Sequence, residues 1–186
     1  MGYRCGGGEP GSVAQMVLTP KELTCEEFLR GNILDVGCGS GRFAVALLKQ
    51  GYATAVTAID VSDICVALTK KHFEIAGVAG NLLRLDVEEY HTDDDFDTIA
   101  CWEVLEHLVH PYITIQKLSR FLTPTGVLIG SVPEGRANDN VLHLHHFNPM
   151  TLMEMLMECF LQVRIRRYYI DGADVTHLVF VAGLVK

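Results

Sequence analysis

Three groups of residues in this chain are spaced to do chemistry. Asp35 precedes three alternating glycines in Ile33-Leu34-Asp35-Val36-Gly37-Cys38-Gly39-Ser40-Gly41-Arg42-Phe43. Asp60 and Asp86 each close a short apolar run. Glu103, Glu106 and His107 form an E-x-x-E-H stretch, and His143, His145 and His146 crowd one later segment. Each group points to a kind of reaction partner. Alternating glycines let the main chain approach a ligand closely. A helix opening directly behind them aims unpaired N–H groups and a positive dipole end at the same place. A ligand with an anionic or hydroxyl-rich end suits that turn. A carboxylate about twenty residues further on suits the paired hydroxyls of a ribose. Histidines near their unperturbed pKa suit removal of a proton from a hydroxyl group.

The glycine spacing separates two ligand classes. A dinucleotide-binding turn reads G-x-G-x-x-G, and its third glycine would fall at Arg42. The observed D-x-G-x-G-x-G instead resembles the first motif of class I S-adenosylmethionine-dependent methyltransferases. That resemblance runs from about Ile33 to the C-terminus. It implies S-adenosylmethionine as cofactor, with Asp35, Gly37, Cys38, Gly39 and Gly41 around its amino-acid end. It further implies Asp60 on the ribose, Val61 against the adenine, Asp86 accepting from the adenine amino group, and Val87 beside it. Asp60 and Asp86 each have a plainer structural reading, as a helix-start acid and a turn residue.

Cys101-Trp102-Glu103-Val104-Leu105-Glu106-His107-Leu108 resembles the E-V-L-E-H signature of small-molecule methyltransferases, the ubiquinone-biosynthesis O-methyltransferases among them. The resemblance implies that Trp102 and Glu103 line the cleft near the sulfonium. Methyl transfer is an in-line displacement, so the protein contributes mainly alignment and exclusion of water. A hydroxyl acceptor also needs a base. Glu103, His107 and His146 are therefore the expected catalytic residues, with His143 and His145 as further candidates, and a small molecule methylated at oxygen is the expected acceptor. No resident metal is expected, because Glu106 falls where the first turn of a helix would begin and a dipole-stabilising role suffices there. Two alternatives use the same residues. One is a metal-dependent RNA 3′-terminal 2′-O-methyltransferase, for which Glu103, Glu106, His107 and either His143 or His146 would be the ligands. The other is a non-catalytic subunit that binds the cofactor beside a partner.

These residues need a frame. Ile33–Val36, Ala55–Ile59, Leu82–Leu85, Phe96–Trp102 and Val127–Val132 read as strands, with amphipathic helical patterns after most of them. In the helix opened by Ser62 the buried stripe is expected at Ile64, Ala67, Leu68 and Ile75. Tyr112, Ile115, Leu118 and Leu122 are expected to face inward in the next, and Leu152, Met153, Leu156 and Met157 in the last. Alternating Val163 and Ile165, then Leu178–Val185, read as two closing strands joined through Asp171-Gly172. β–α units followed by a hairpin predict an α/β fold, a doubly wound, mostly parallel seven-stranded sheet with helices on both faces. A flexible segment is expected over 1–19 and a single domain over 20–186.

Composition narrows the partners. The formal net charge is −8, which argues against a phosphate-rich nucleic acid partner. Six cysteines lie scattered without C-x-x-C pairs, as in a reduced, cytoplasmic protein. No apolar run approaches membrane-spanning length. The segment before the first strand is short, which leaves room for a second copy or a partner chain to complete the site.

Overall fold

The computed structural model describes residues 16–135, 141–169 and 176–185. Most of the segment expected to be flexible, and the Asp171-Gly172 connection, lie outside them. The chain groups into two compact units, Met1–His91 and Thr92–Lys186. Seven strands belong to one sheet.

In the first unit, Met16 and Leu18 are already buried, although the sequence placed them in the flexible segment. A one-turn helix follows, α1 (Pro20–Leu23). Thr19 and Glu22 form a reciprocal capping box: each side chain accepts from the other's backbone N–H, at 3.3 and 2.7 Å. Strand β1 (Gly31–Val36) ends at the glycine turn and leads into α2 (Arg42–Lys49). Strand β2 (Ala53–Asp60), α3 (Asp63–Ala76) and β3 (Asn81–Arg84) complete the unit. The three strands are parallel, in the order β3-β2-β1. Ile33, Leu34, Phe43, Leu47, Val56 and Ile59 fill the core between sheet and helices. Burying such side chains contributes about 1.5–3 kcal/mol each.

The buried stripe of α3 differs from the expected one. Ile64 and Ile75 are 65% and 55% exposed, and Cys65, Thr69, His72 and Phe73 face inward. Apolar periodicity fails here because two polar residues have partners on the inner side, described below.

In the second unit, β4 (Phe96–Trp102), α4 (Pro111–Ser119), β5 (Leu122–Pro133), α5 (Pro149–Met157), β6 (Phe160–Tyr169) and β7 (Thr176–Val185) follow one another. The order is β4-β5-β7-β6, with β4 and β5 parallel and β7 antiparallel to both its neighbours. Gly130 lets β5 press against β4, since a Cβ there would stand 2.0 Å from the Cys101 carbonyl oxygen. Ile115 and Leu118 of α4 and Leu152 and Leu156 of α5 are buried as expected. Tyr112 and Met157 are not, at 39% and 47% exposure, and Leu122 is buried as the first residue of β5. Cys25, Cys38, Cys101 and Cys159 are free and buried, whereas Cys65 is disulfide-bonded, which departs from the expectation of reduced cysteines throughout. Among the described residues no helix is long and apolar enough to cross a membrane.

Candidate functional site

The first unit carries the glycine turn. Gly37, Gly39 and Gly41 all have positive φ, at 67°, 55° and 73°, a region L side chains enter only with strain. At Gly41 a Cβ would meet Thr69 at 2.5 Å, so that glycine is required by packing. At Gly39 a Cβ would meet nothing within 4 Å. The turn therefore has a packed glycine on one side and open space at the next.

Several groups brace this turn. The Cys38 N–H donates to the Ile59 carbonyl at 3.0 Å, and the Gly41 N–H to the Cys38 carbonyl at 2.9 Å. Asp60, at the end of β2, accepts from the Gly39 N–H through Oδ2 and from the Ser62 N–H through Oδ1, both at 2.8 Å. The residue expected on a ribose thus also ties the turn to β2. Its oxygens keep further lone pairs for a ligand's hydroxyl groups. Asp86 caps a 3-10 turn over Val87–Glu89 by accepting from the Glu88 N–H at 2.8 Å. Val61 is 47% exposed, whereas Val87 is buried.

Asp35 is almost wholly buried, and its Oδ2 has no hydrogen-bond partner. Burial, and after it the nearby Glu22 carboxylate, push its pKa up to about 8, against a smaller opposing pull from Arg42. Buried carboxylates are costly unless they are protonated or find a cation. Glu22 is itself buried and paired with the Arg42 guanidinium through both nitrogens of the fork, and Arg42 also donates to the Val17 carbonyl at 2.7 Å. Arg42, the residue that breaks the dinucleotide spacing, anchors the segment before β1.

The second unit carries the acids and histidines. Just beyond β4, Glu103 has a positive φ of 56°, and its N–H donates to the Ser131 carbonyl at 2.9 Å. Its side chain is held from two sides. The fully buried Ser131 hydroxyl donates to Oε1, and His177 Nε2 lies 3.1 Å from Oε2. The sequence reading missed both partners. Ser131 lies inside the run read as a strand over Val127–Val132, and His177 just before the one read over Leu178–Val185. Strand registry supplies the missing signal: Trp102 pairs with Ser131, and Pro133 with His177.

Leu105–His107 form a 3-10 turn, not the start of an α-helix. Glu106 is buried there rather than stabilising an exposed dipole. Its backbone carbonyl accepts from the Leu144 and His145 N–H groups, at 2.8 and 3.2 Å. The histidine segment is laced onto this turn. His107 Nδ1 faces the Leu142 carbonyl at 3.0 Å and so carries a ring proton, and its Nε2 lies 3.9 Å from Glu106 Oε1. His145 Nε2 donates to the Leu108 carbonyl at 3.0 Å. His143 packs edge-on against His107, and burial, with the neighbouring imidazole next, lowers its pKa. His146 is exposed.

Glu106, His107 and His143 offer ligand atoms that all lie within 4.8 Å of one another. The helix-start reading of Glu106 does not foresee this grouping. Of the set implied for an RNA-terminal enzyme, Glu103 stands apart, with its carboxylate engaged by Ser131 and His177.

Comparison with known proteins follows the same lines. Over 105 residues the chain is 34% identical to a ubiquinone biosynthesis O-methyltransferase of Actinobacillus pleuropneumoniae serotype 7 (strain AP76), covering 53% of this chain and 44% of that one. Over 97 residues it is 36% identical to the enzyme of that name from Rickettsia conorii (strain ATCC VR-613 / Malish 7), covering 52% and 33%. The chain thus spans less than half the length of these curated relatives. Among solved structures, the N-terminal domain of EvdMO1 with S-adenosylhomocysteine bound superposes with a TM-score of 0.71 at 16% identity, over 95% of this chain and 82% of that one. The N-methyltransferase NodS from Bradyrhizobium japonicum WM9, in complex with S-adenosylhomocysteine, gives 0.70 at 20% identity, over 96% and 94%. The description of one family matches residues 17–168, from Val17 into β6: the chain belongs to the methyltransferase domain family, whose methyl donor is S-adenosylmethionine.

Proposed function

We propose that this protein transfers the methyl group of S-adenosylmethionine to an oxygen of a small-molecule acceptor. The observation that carries the proposal is the glycine turn, where the space beside Gly39 is open and the buried Asp35 Oδ2 lacks a partner. An open cradle beside a stranded carboxylate fits a ligand with a cationic amino-acid end, and S-adenosylmethionine has one. Asp35, Gly37, Cys38, Gly39 and Gly41 would hold that end, Asp60 and Val61 the nucleoside, Asp86 and Val87 the base, and Trp102 would line the cleft. The bound donor supplies an electrophilic methyl group.

The chain's own residues would do the rest. His107, with its proton fixed on Nδ1, presents Nε2 as a base for the acceptor hydroxyl, and His146 is the second candidate. Glu103, held by Ser131 and His177, accepts a hydrogen bond from the acceptor and orients it. Oxygen is preferred over nitrogen because the relatives above are O-methyltransferases and because the cluster offers bases. We place this activity in the cytoplasm, on the four free, buried cysteines and against the disulfide-bonded state of Cys65.

The test is transfer of a labelled methyl group to a panel of phenols, catechols and amines, with and without chelator. The expected product is a methyl ether, formed equally in both conditions. Methylated amines alone would contradict the choice of oxygen. Loss of activity with chelator would assign a cation to Glu106, His107 and His143.

A further inference from the structure

Two buried polar residues of α3 face the glycine turn from behind, and neither has a role in the reading above. Thr69 is fully buried, and its hydroxyl donates to the Gly39 carbonyl at 2.9 Å. One turn on, His72 is 5% exposed, and its Nδ1 lies 2.7 Å from the Ser40 carbonyl. A ring nitrogen facing a carbonyl must carry the proton, so His72 donates through Nδ1. Its Nε2 is buried with no hydrogen-bond partner. An apolar side chain would fill this place without stranding a nitrogen. The cost of that nitrogen marks the Ser40 contact as the reason for a histidine.

We infer that Thr69 and His72 are positioning residues for the cofactor turn, which hold consecutive carbonyls of its main chain toward α3. The consequence follows from peptide geometry. A trans peptide is planar, with its N–H directed opposite to its C=O. Fixing the Gly39 carbonyl on Thr69 therefore turns the Ser40 N–H away from α3. Fixing the Ser40 carbonyl on His72 directs the Gly41 N–H likewise, and that group closes the turn on the Cys38 carbonyl at 2.9 Å. A glycine-rich turn has many backbone states, and these two bonds select one before a ligand arrives. The Gly41 contact with Thr69 adds a steric stop on the same residue.

The inference rests on the methyltransferase reading for its ligand, and two measurements keep them separable. The first is the affinity of S-adenosylhomocysteine by calorimetry. Thr69→Val keeps volume and His72→Phe keeps a flat ring, and both lose the donor; each is expected to weaken binding about tenfold. Thr69→Ser and His72→Asn keep a donor at the same place and are expected to bind within about threefold of wild type. A merely structural role would not separate Ser from Val or Asn from Phe in this way. Equal affinity in all four variants, or equal loss in all four, overturns the inference. The second measurement is amide exchange without ligand at Gly41, whose N–H is held by the Cys38 carbonyl, expected to quicken in Thr69→Val and His72→Phe only. Unchanged exchange overturns the inference whatever the ligand. If wild-type protein binds no S-adenosylhomocysteine while exchange follows the expected pattern, the methyltransferase reading fails and the pinned turn stands without its cofactor role.

Discussion

Glu103 illustrates how much of a site depends on residues far away in sequence. Its left-handed backbone is an uncommon state for a non-glycine residue and costs roughly 1–2 kcal/mol. Ser131 and His177 hold the carboxylate that this backbone presents. His177→Ala or Ser131→Ala is therefore expected to lower kcat about tenfold to a hundredfold with little change in donor affinity. Steady-state kinetics with saturating donor would show this, and an effect confined to donor KM would contradict it. Asp35 gives a second expectation at this scale. Its folded pKa of about 8 lies above the ordinary 3.8. The folded state thus holds a proton that the unfolded chain releases. The stability from the protonated form is full below about pH 4 and is lost as pH rises through about 8. Urea unfolding at pH 5, 7 and 8.5 should show stability falling with pH, and Asp35→Asn should flatten that slope. An identical slope in wild type and variant would show that Asp35 does not govern it. The glycines make a third pair. Gly41→Ala is expected to destabilise the fold, because Thr69 occupies the space of the new Cβ. Gly39→Ala should fold, at a cost of about 1 kcal/mol for its φ, and lose cofactor affinity. Thermal melts together with calorimetry separate the two outcomes.

At the scale of elements, the Glu22–Arg42 ion pair ties the segment before β1 to α2. Glu22 caps α1, is buried, and meets Arg42 at the start of α2. Removing the cation leaves a buried acid with half its partners. Arg42→Ala is expected to cost on the order of 2 kcal/mol and to speed amide exchange over 16–29 before any other segment. Uniform exchange would show that the segment does not depend on this pair. The elements also show what could be read from the sequence. β1, the glycine turn and α2 are legible because their signal is local: an apolar run, positive-φ glycines, then helical periodicity. The stripe on α3 was misread because Thr69 and His72 face inward for hydrogen bonds to Gly39 and Ser40, partners thirty and thirty-two residues away. Hydropathy cannot report such a bond. Glu106 was misread for a related reason. An acid three residues after Glu103 reads as part of a first helical turn, yet its carbonyl is the anchor for Leu144 and His145 and its side chain is buried.

At the scale of the molecule, the seven-stranded, mostly parallel sheet with an antiparallel β7 matches what the pattern of β–α units and the resemblance implied. The family follows from it and from the match over 17–168. Specificity for the acceptor does not, since structures of similar fold include an N-methyltransferase. We propose that this choice lies with side chains such as Glu103, His107 and His146; the relatives named for action on oxygen are more than twice as long as the stretch they share with this chain. The most direct test of the account is calorimetry of the purified protein with S-adenosylmethionine, S-adenosylhomocysteine and NAD. The account predicts saturable one-to-one binding of the first two, abolished in Gly39→Ala, and no heat with NAD. Binding of NAD, with none of either sulfur ligand, would contradict it.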